Sequence, residues 1–241
     1  GMDVTVVEMA DRVMSRVVSP EISDFYQIEH TNQGVKFRLS ARVTQLQGKK
    51  RVKQVLLDNG EGIPADLVVI GAGILPNTEL AREAGLDVAD GIVVDDRCQT
   101  SDPNIYAVGD CTSHPNDIYG RHLRLESVHN ALEQAKTAAQ NICGKETHYC
   151  EVPWFWSDQY DLKLQIAGLS EGYDDVVIRG NPAEHSFACV YLRKGRLIAV
   201  DAVNAPRDFM QSKALIAAHA QISAQQLADG EKSLQELGAA C

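Results

Sequence analysis

Thr100-Ser101-Asp102-Pro103-Asn104-Ile105-Tyr106-Ala107-Val108-Gly109-Asp110 is the stretch on which the reading of this chain turns. Ser101 to Asn104 are turn formers, Ile105 to Val108 predict a short apolar strand, and Gly109-Asp110 places a carboxylate where that strand ends. In α/β proteins ligands gather beyond the carboxyl ends of strands, and a glycine there lets a ligand approach bare backbone. An ionised carboxylate offers only acceptors, which suits the hydroxyls of a polyol. The same residues also describe a turn, a buried strand and a helix cap in which Asp110 serves the backbone. By themselves they leave the two readings level.

Upstream, Ala65-Asp66-Leu67-Val68-Val69-Ile70 predicts a parallel strand buried on both faces. It runs into Gly71-Ala72-Gly73-Ile74-Leu75-Pro76-Asn77, which reads as bare backbone at a ligand edge or, nearly as well, as a tight strand-to-helix turn. Asn77 or Thr78 caps a short helix ending near Gly85, and Gly91 to Asp95 predicts a further strand. Earlier still, Asp3 to Glu8 is a β-branched run ending in an acid. A glutamate at the end of the second strand of a Rossmann unit binds adenosine ribose hydroxyls, whereas taken alone Glu8 is better read as a solvated strand-end charge. The first strand and glycine-rich turn of such a unit lie about 20 residues before that acid. The start therefore reads as a cut through a nucleotide-binding unit. Ser19-Pro20-Glu21 opens a helix to Asn32-Gln33 with Gly34 as its stop, and strands are expected over Val35 to Leu39, Ala41 to Gln47 and Val52 to Asp58.

Downstream, His114 to Arg121 reads as a polar loop. A long helix is expected from Leu125 to Cys143, with Val128, Ala131, Leu132, Ala135, Ala139 and Ile142 as its core-facing stripe. Composition changes at Lys145 to Pro153. Beyond it, Trp154-Phe155-Trp156, the alternating Leu162 to Ile166, Val176 to Arg179, and a hairpin of Phe187 to Leu192 and Leu197 to Val203 around Lys194-Gly195 predict an antiparallel sheet. Asn204-Ala205-Pro206 starts a helix to His219, and a last short helix precedes the tail. The expected fold class is α/β, with partial Rossmann-like nucleotide-binding parts, followed by an α+β C-terminal domain with an antiparallel sheet.

The chain has 241 residues, 44% hydrophobic and 23% charged, which is ordinary for a soluble globular protein. A net charge of -10 argues against broad nucleic-acid or anionic-membrane binding. No apolar run approaches the ~20 residues of a membrane span, and no charged-then-apolar signal pattern opens the chain. The six cysteines are scattered without Cys-x-x-Cys or Cys/His clustering and read as mostly reduced thiols rather than a disulfide frame or a metal site. The cytoplasm is the expected location.

Taken in order, three motifs carry a resemblance. Thr-x6-Ala-x-Gly-Asp at Thr100 to Asp110 resembles the second FAD-contacting motif of the two-dinucleotide-domain flavoproteins. Gly71-Ala72-Gly73 with Pro76-Asn77 resembles the motif that closes their inserted NAD domain, and Glu8 with Arg12 resembles the ribose site of NADH-preferring members. Pro153 to Asp161 and Ala199 to Asn204 resemble the ferredoxin reductases of putidaredoxin, rhodocoxin and dioxygenase systems. Leu125-Glu126-Ser127-Val128 with Asn130-Ala131 matches the helix start that lies by the flavin pyrimidine ring in those enzymes.

The resemblance implies FAD contacts from Gly109, Asp110, Glu126, Ser127, Val128 and Trp156. It implies NAD contacts from Glu8, Arg12, Gly71, Gly73 and Ile74, and it implies no catalytic side chain and no metal. Trp156 is expected at the flavin edge, between the flavin and the iron–sulfur partner, and Trp154 in a domain-interface core; the role of His129 stays open. NADH would pass a hydride to the flavin N5, and electrons would leave singly to a [2Fe–2S] ferredoxin serving a P450 or Rieske-type oxygenase. Residues 1–73 would be the C-terminal part of the NAD-binding domain, 74–147 the C-terminal segment of the FAD-binding domain, and 148–241 the interface domain. Neither pyrophosphate-binding Gly-x-Gly-x-x-Gly turn is present in the sequence, so the chain alone is expected to be inactive and to hold FAD and NADH weakly, and open sheet edges are expected to favour a homo-oligomer. The alternatives are a non-catalytic docking or dimerisation module of the same descent and, less well matched, an NADH oxidase or disulfide reductase.

Overall fold

A computed structural model describes residues 1–238. Contacts divide the chain into two compact units, Gly1–Gly73 and Ile74–Cys241. The chain is mixed α/β in its first part and carries a five-stranded antiparallel sheet in its last.

In the first unit, β1 (Thr5–Val7) pairs in parallel with β2 (Lys36–Arg38), and α1 (Pro20–Asn32) makes the connection. Pro20 at the first helical position supplies a pre-set φ, and Gly34, at φ +89°, ends the helix. β3 (Val43–Gly48), β4 (Val52–Leu57) and β5 (Gly62–Pro64) form an antiparallel meander over a small core of Ala41, Val55 and Leu57. Ala65 and Val68 pack against that core. The rest of the expected buried strand does not. Residues 65–70 join no ladder, and Leu67, Val69 and Ile70 are 74, 86 and 73% exposed. A buried parallel strand needs a hydrogen-bonded neighbour on each side, and none of the described residues supplies one.

The second unit opens with α2 (Glu79–Glu83), β6 (Val88–Ala89) and β7 (Gly91–Val93). The predicted strand Ile105 to Val108 is instead a looped segment with one bridge, Tyr106 to Gln99. Its backbone groups are taken by the preceding turn: Ala107 N–H donates to Cys98 O, and Thr100 N–H to Ile105 O. The expected polar loop is a strand pair, β8 (Thr112–Asn116) and β9 (Arg121–Leu123), with β8 running parallel to β7. Polar composition and Pro115 concealed it, because Thr112, Ser113, His114 and Asn116 are buried. The long helix α3 (Val128–Ile142) forms as expected but faces the other way. Its buried residues are Asn130, Gln134, Thr137 and Ala138, while Val128, Leu132 and Ile142 lie exposed. What lies beneath the helix is polar, so the amide-bearing face turned inward to meet it: the Tyr149 hydroxyl donates to Asn130 Oδ1 (2.9 Å) and Gly109 N–H to Gln134 Oε1 (2.7 Å). Leaving such groups buried and unpaired would cost about 1–3 kcal/mol each.

The antiparallel sheet has the order β10 (Trp154–Gln159), β11 (Leu162–Gly168), β14 (Arg196–Val203), β13 (Ser186–Arg193), β12 (Asp175–Asn181). Arg193 opposes Arg196 across Lys194-Gly195, both with positive φ (53° and 76°), the geometry of a two-residue type I′ hairpin. Ala167, Val177, Ala188, Val190, Val200 and Ala202 form one face of this sheet, and α4 (Pro206–Ala217) covers it with Phe209 and Ile216. Where one last short helix was expected there are two, α5 (Ala224–Ala228) and α6 (Leu234–Gly238), whose Leu227, Leu234 and Leu237 complete that core. Cys241 lies outside the described residues. Among the described residues no helix is long and apolar enough to cross a membrane.

Candidate functional site

Asp110 is exposed, and its carboxylate has no hydrogen-bond or ion-pair partner among the described residues. No helix follows for it to cap: β8 begins at Thr112, and the Thr112 hydroxyl, 2.8 Å from Gly109 O, closes the turn. Gly109 is buried at φ +86°, and a Cβ there would meet Ala131 Cβ at 3.6 Å. The turn therefore lies against α3, with its acid directed to solvent and free to accept hydroxyl donors.

At the start of α3, Ser127 is the N-cap: its Oγ accepts from Asn130 N–H and donates to Trp154 O at 3.0 Å. That second bond ties the helix start to β10. Glu126 is held by Arg124, which also reaches Asp90. Trp156 is 39% exposed and stacks obliquely on Trp154, with ring centroids 5.3 Å apart. Trp154 packs on Phe209 and the sheet core. Gly109, Ser127, Val128 and Trp156 are thus carried on α3, on the turn packed against it, and on the strand bonded to its first turn.

Two side chains flank Trp154: Lys213, which no motif marks, and His129, whose role the sequence leaves open. Lys213 Nζ lies 4.6 Å from the Trp154 ring centroid, and the His129 ring lies 5.2 Å away. Burial lowers the pKa of both. Lysine and histidine give no sequence signal for such a place; only the packing of α3 and α4 beside β10 creates it.

In the first unit, one oxygen of Glu8 accepts from Ala10 N–H (2.8 Å). The Arg12 guanidinium donates to Val18 O and Ser15 O, bracing the loop that leads into α1. Gly71 has open space around it, and Gly73, at φ +87°, lies by the exposed guanidinium of Arg16, 3.3 Å from where a Cβ would stand. Arg16 is a cation beside that glycine turn which the sequence reading passed over. Ile74 begins the second unit and is exposed.

Among the described residues no His, Cys, Asp and Glu side chains gather to hold a metal ion. Burial pushes the Cys98 thiol up to about 12. His114 is buried with neither ring nitrogen hydrogen-bonded, edge-on to Tyr149 at 5.1 Å, and burial, aided by His122, lowers its pKa to about 4. Because that value lies below the unfolded one near 6.5, the neutral ring's contribution to stability is intact above pH 6.5 and is lost as pH falls toward 4. His114→Phe is expected to remove about 3 kcal/mol of acid destabilisation over that interval, read by urea unfolding at pH 7 and 4.5. An unchanged pH dependence would count against the burial argument.

Residues 1–135 match the family described as Pyridine nucleotide-disulphide oxidoreductase, and residues 154–238 match Reductase C-terminal. The chain is 44% identical, over all of its length, to the 5,5'-dehydrodivanillate O-demethylase ferredoxin reductase subunit of Sphingobium sp. and to Putidaredoxin reductase CamA of Pseudomonas putida. It spans 59% and 58% of those curated relatives. Among solved structures it resembles the ferredoxin reductase for the CYP199A2 system from Rhodopseudomonas palustris (42% identity, TM-score 0.95), covering 99% of this chain and 59% of that one. It also resembles the covalent putidaredoxin reductase–putidaredoxin complex (44%, TM-score 0.95), covering 99% and 58%.

Proposed function

The chain belongs to the pyridine nucleotide-disulphide oxidoreductase family, whose members use FAD and NAD(H), and on that premise we propose that it serves an NADH-dependent reductase delivering electrons to a [2Fe–2S] ferredoxin of a P450 or Rieske-type oxygenase system. The observation that carries this reading is the free Asp110 carboxylate on a glycine turn packed against the helix whose N-terminus meets the tryptophan strand.

The donor set fits a flavin. Asp110 would accept hydrogen bonds from ribityl hydroxyls, and the Glu126-Ser127-Val128 backbone, at the positive end of α3, would stabilise negative charge on the pyrimidine ring. Trp156 gives an apolar, half-exposed plane that would shield the flavin edge from water on the side of a ferredoxin. FAD, when bound, supplies the acceptance of hydride and its release as single electrons. For the dinucleotide, the second oxygen of Glu8 serves ribose hydroxyls and disfavours a 2′-phosphate. Arg12 shapes the loop behind it, and Gly71, Gly73 and Ile74 leave room for the nucleotide to pass close to the backbone.

The test is NADH-dependent cytochrome c reduction with added [2Fe–2S] ferredoxin, run on this chain and on a version completed at its N-terminus to the relatives' length. The completed protein is expected to reduce cytochrome c only when ferredoxin is present, and its Asp110→Asn variant to hold FAD about tenfold more weakly. Ferredoxin-independent turnover, or full flavin affinity in the variant, would overturn the assignment.

A further inference from the structure

Gln134 was singled out by neither motif nor charge, yet it is wholly buried on the inward face of α3. Its Oε1 accepts the Gly109 N–H at 2.7 Å. The Thr112 hydroxyl stands 3.0 Å from the same oxygen and 2.8 Å from Gly109 O, so its single proton is shared between an acceptor on α3 and one on the turn. The Gly109 amide, buried at φ +86°, has this one carboxamide as its acceptor. Asp110 does nothing to hold the turn, because its carboxylate bonds no group among the described residues.

We infer that Gln134 is the positioning residue of the Asp110 site: its carboxamide oxygen fixes the Gly109-Asp110 turn on α3 and so sets where the carboxylate meets the flavin ribityl chain. The inference rests on the Asp110 reading above. Two features support it. Gln134 Nε2 is buried without an acceptor among the described residues, a cost that leucine or methionine would avoid, so what the position requires is the oxygen. Ser127, two turns earlier on the same helix, is bonded to Trp154 O, so one rigid element spaces the acid from the helix start by about 10 Å along its axis. The helix thereby acts as a ruler between the two groups of residues assigned to the flavin.

The test compares Gln134→Met, which fills the space without an oxygen, with Gln134→Glu, which keeps the acceptor. In the 241-residue chain, the Gly109 amide is expected to exchange with deuterium at least tenfold faster in the methionine variant, while Val190 and Val200 in the distant hairpin keep their protection. The glutamate variant is expected to restore slow exchange. Should the methionine variant lose the hairpin protection as well, Gln134→Asn, which withdraws the oxygen by one methylene, takes its place. In the flavin-loaded protein completed to the relatives' length, Gln134→Met is expected to weaken FAD binding about tenfold. Combined with Asp110→Asn it should weaken binding no further than Asp110→Asn alone, the non-additivity of two residues acting through one contact. Unchanged Gly109 exchange, or additive losses, would overturn the inference. Full FAD affinity in Asp110→Asn would remove the Asp110 reading itself, while the exchange arm would still report whether Gln134 holds the turn.

Discussion

Arg179→Met is expected to lower the stability of the second unit by about 3 kcal/mol and to free its last two helices. Arg179 stands on β12 with its side chain buried, and its guanidinium donates to three carbonyls of the chain end: Leu227 O, Asp229 O at 3.2 Å and Lys232 O. Asp208 Oδ1 on α4 lies 3.5 Å from Nε. One fork of donors therefore pins the segment between α5 and α6 to the sheet edge and to α4. Methionine keeps the apolar stem but strands the carbonyls, and bonds from a charged donor to such acceptors contribute about 1.5–3 kcal/mol each. The α5–α6 segment carries Leu227, Leu234 and Leu237 into the core, so its release also exposes aliphatic surface. Limited proteolysis should cut the variant between 223 and 238 before the sheet is attacked, and urea unfolding should give the loss. A change under about 1 kcal/mol would show that the leucines hold the end without the arginine.

The second large effect lies at Asp201. It is wholly buried on β14, between Ile166 of β11 and Cys189 of β13 in the register. Tyr191 Oη donates to Oδ2 at 2.7 Å, and Oδ1 has no partner among the described residues. Burial, only partly offset by that hydrogen bond, raises the carboxyl to about 7. A raised acid contributes stability that is intact below its unfolded value near 3.8 and lost as pH climbs to about 7, at about 1.4 kcal/mol per unit and about 4 kcal/mol in all. Asp201→Asn mimics the protonated form and is expected to stabilise the protein by about 2–4 kcal/mol at pH 8 and by little at pH 4. His114 slopes the opposite way between pH 4 and 6.5. In the unit that holds both, the two slopes nearly cancel there, so the wild type should look almost indifferent to pH from these groups. Each single variant should expose the slope of the other. A wild-type profile that Asp201→Asn leaves unaltered between pH 5 and 8 would mean that the carboxyl finds a donor on its second oxygen.

Much of the architecture follows from local signals. Pro20 and Gly34 bracket α1, Lys194-Gly195 specifies a hairpin, and alternation along Leu162 to Ile166 and Leu197 to Val203 announces an antiparallel sheet. These succeed because each depends on φ, on a missing N–H or on a two-residue period, properties a few adjacent residues own. The misreadings share one cause. The α3 stripe, the apolar run 65–70 and the polar strand β8 were judged by hydrophobicity, which says what a side chain prefers and not what lies opposite it.

Local sequence was enough for the α/β-then-antiparallel order of the chain, its hairpin, the limits of α1 and the place of Asp110 at the end of a glycine turn. Only the tertiary structure decided that Asp110 is free of the backbone, that Arg12 braces a loop, that α3 turns its amides inward, and that Gln134 and Arg179 hold distant segments through backbone groups. The reason is physical: a buried N–H or carbonyl must be paired, its partner is selected by position in space rather than along the chain, and a glutamine or arginine carries no mark in sequence of the backbone group it will meet.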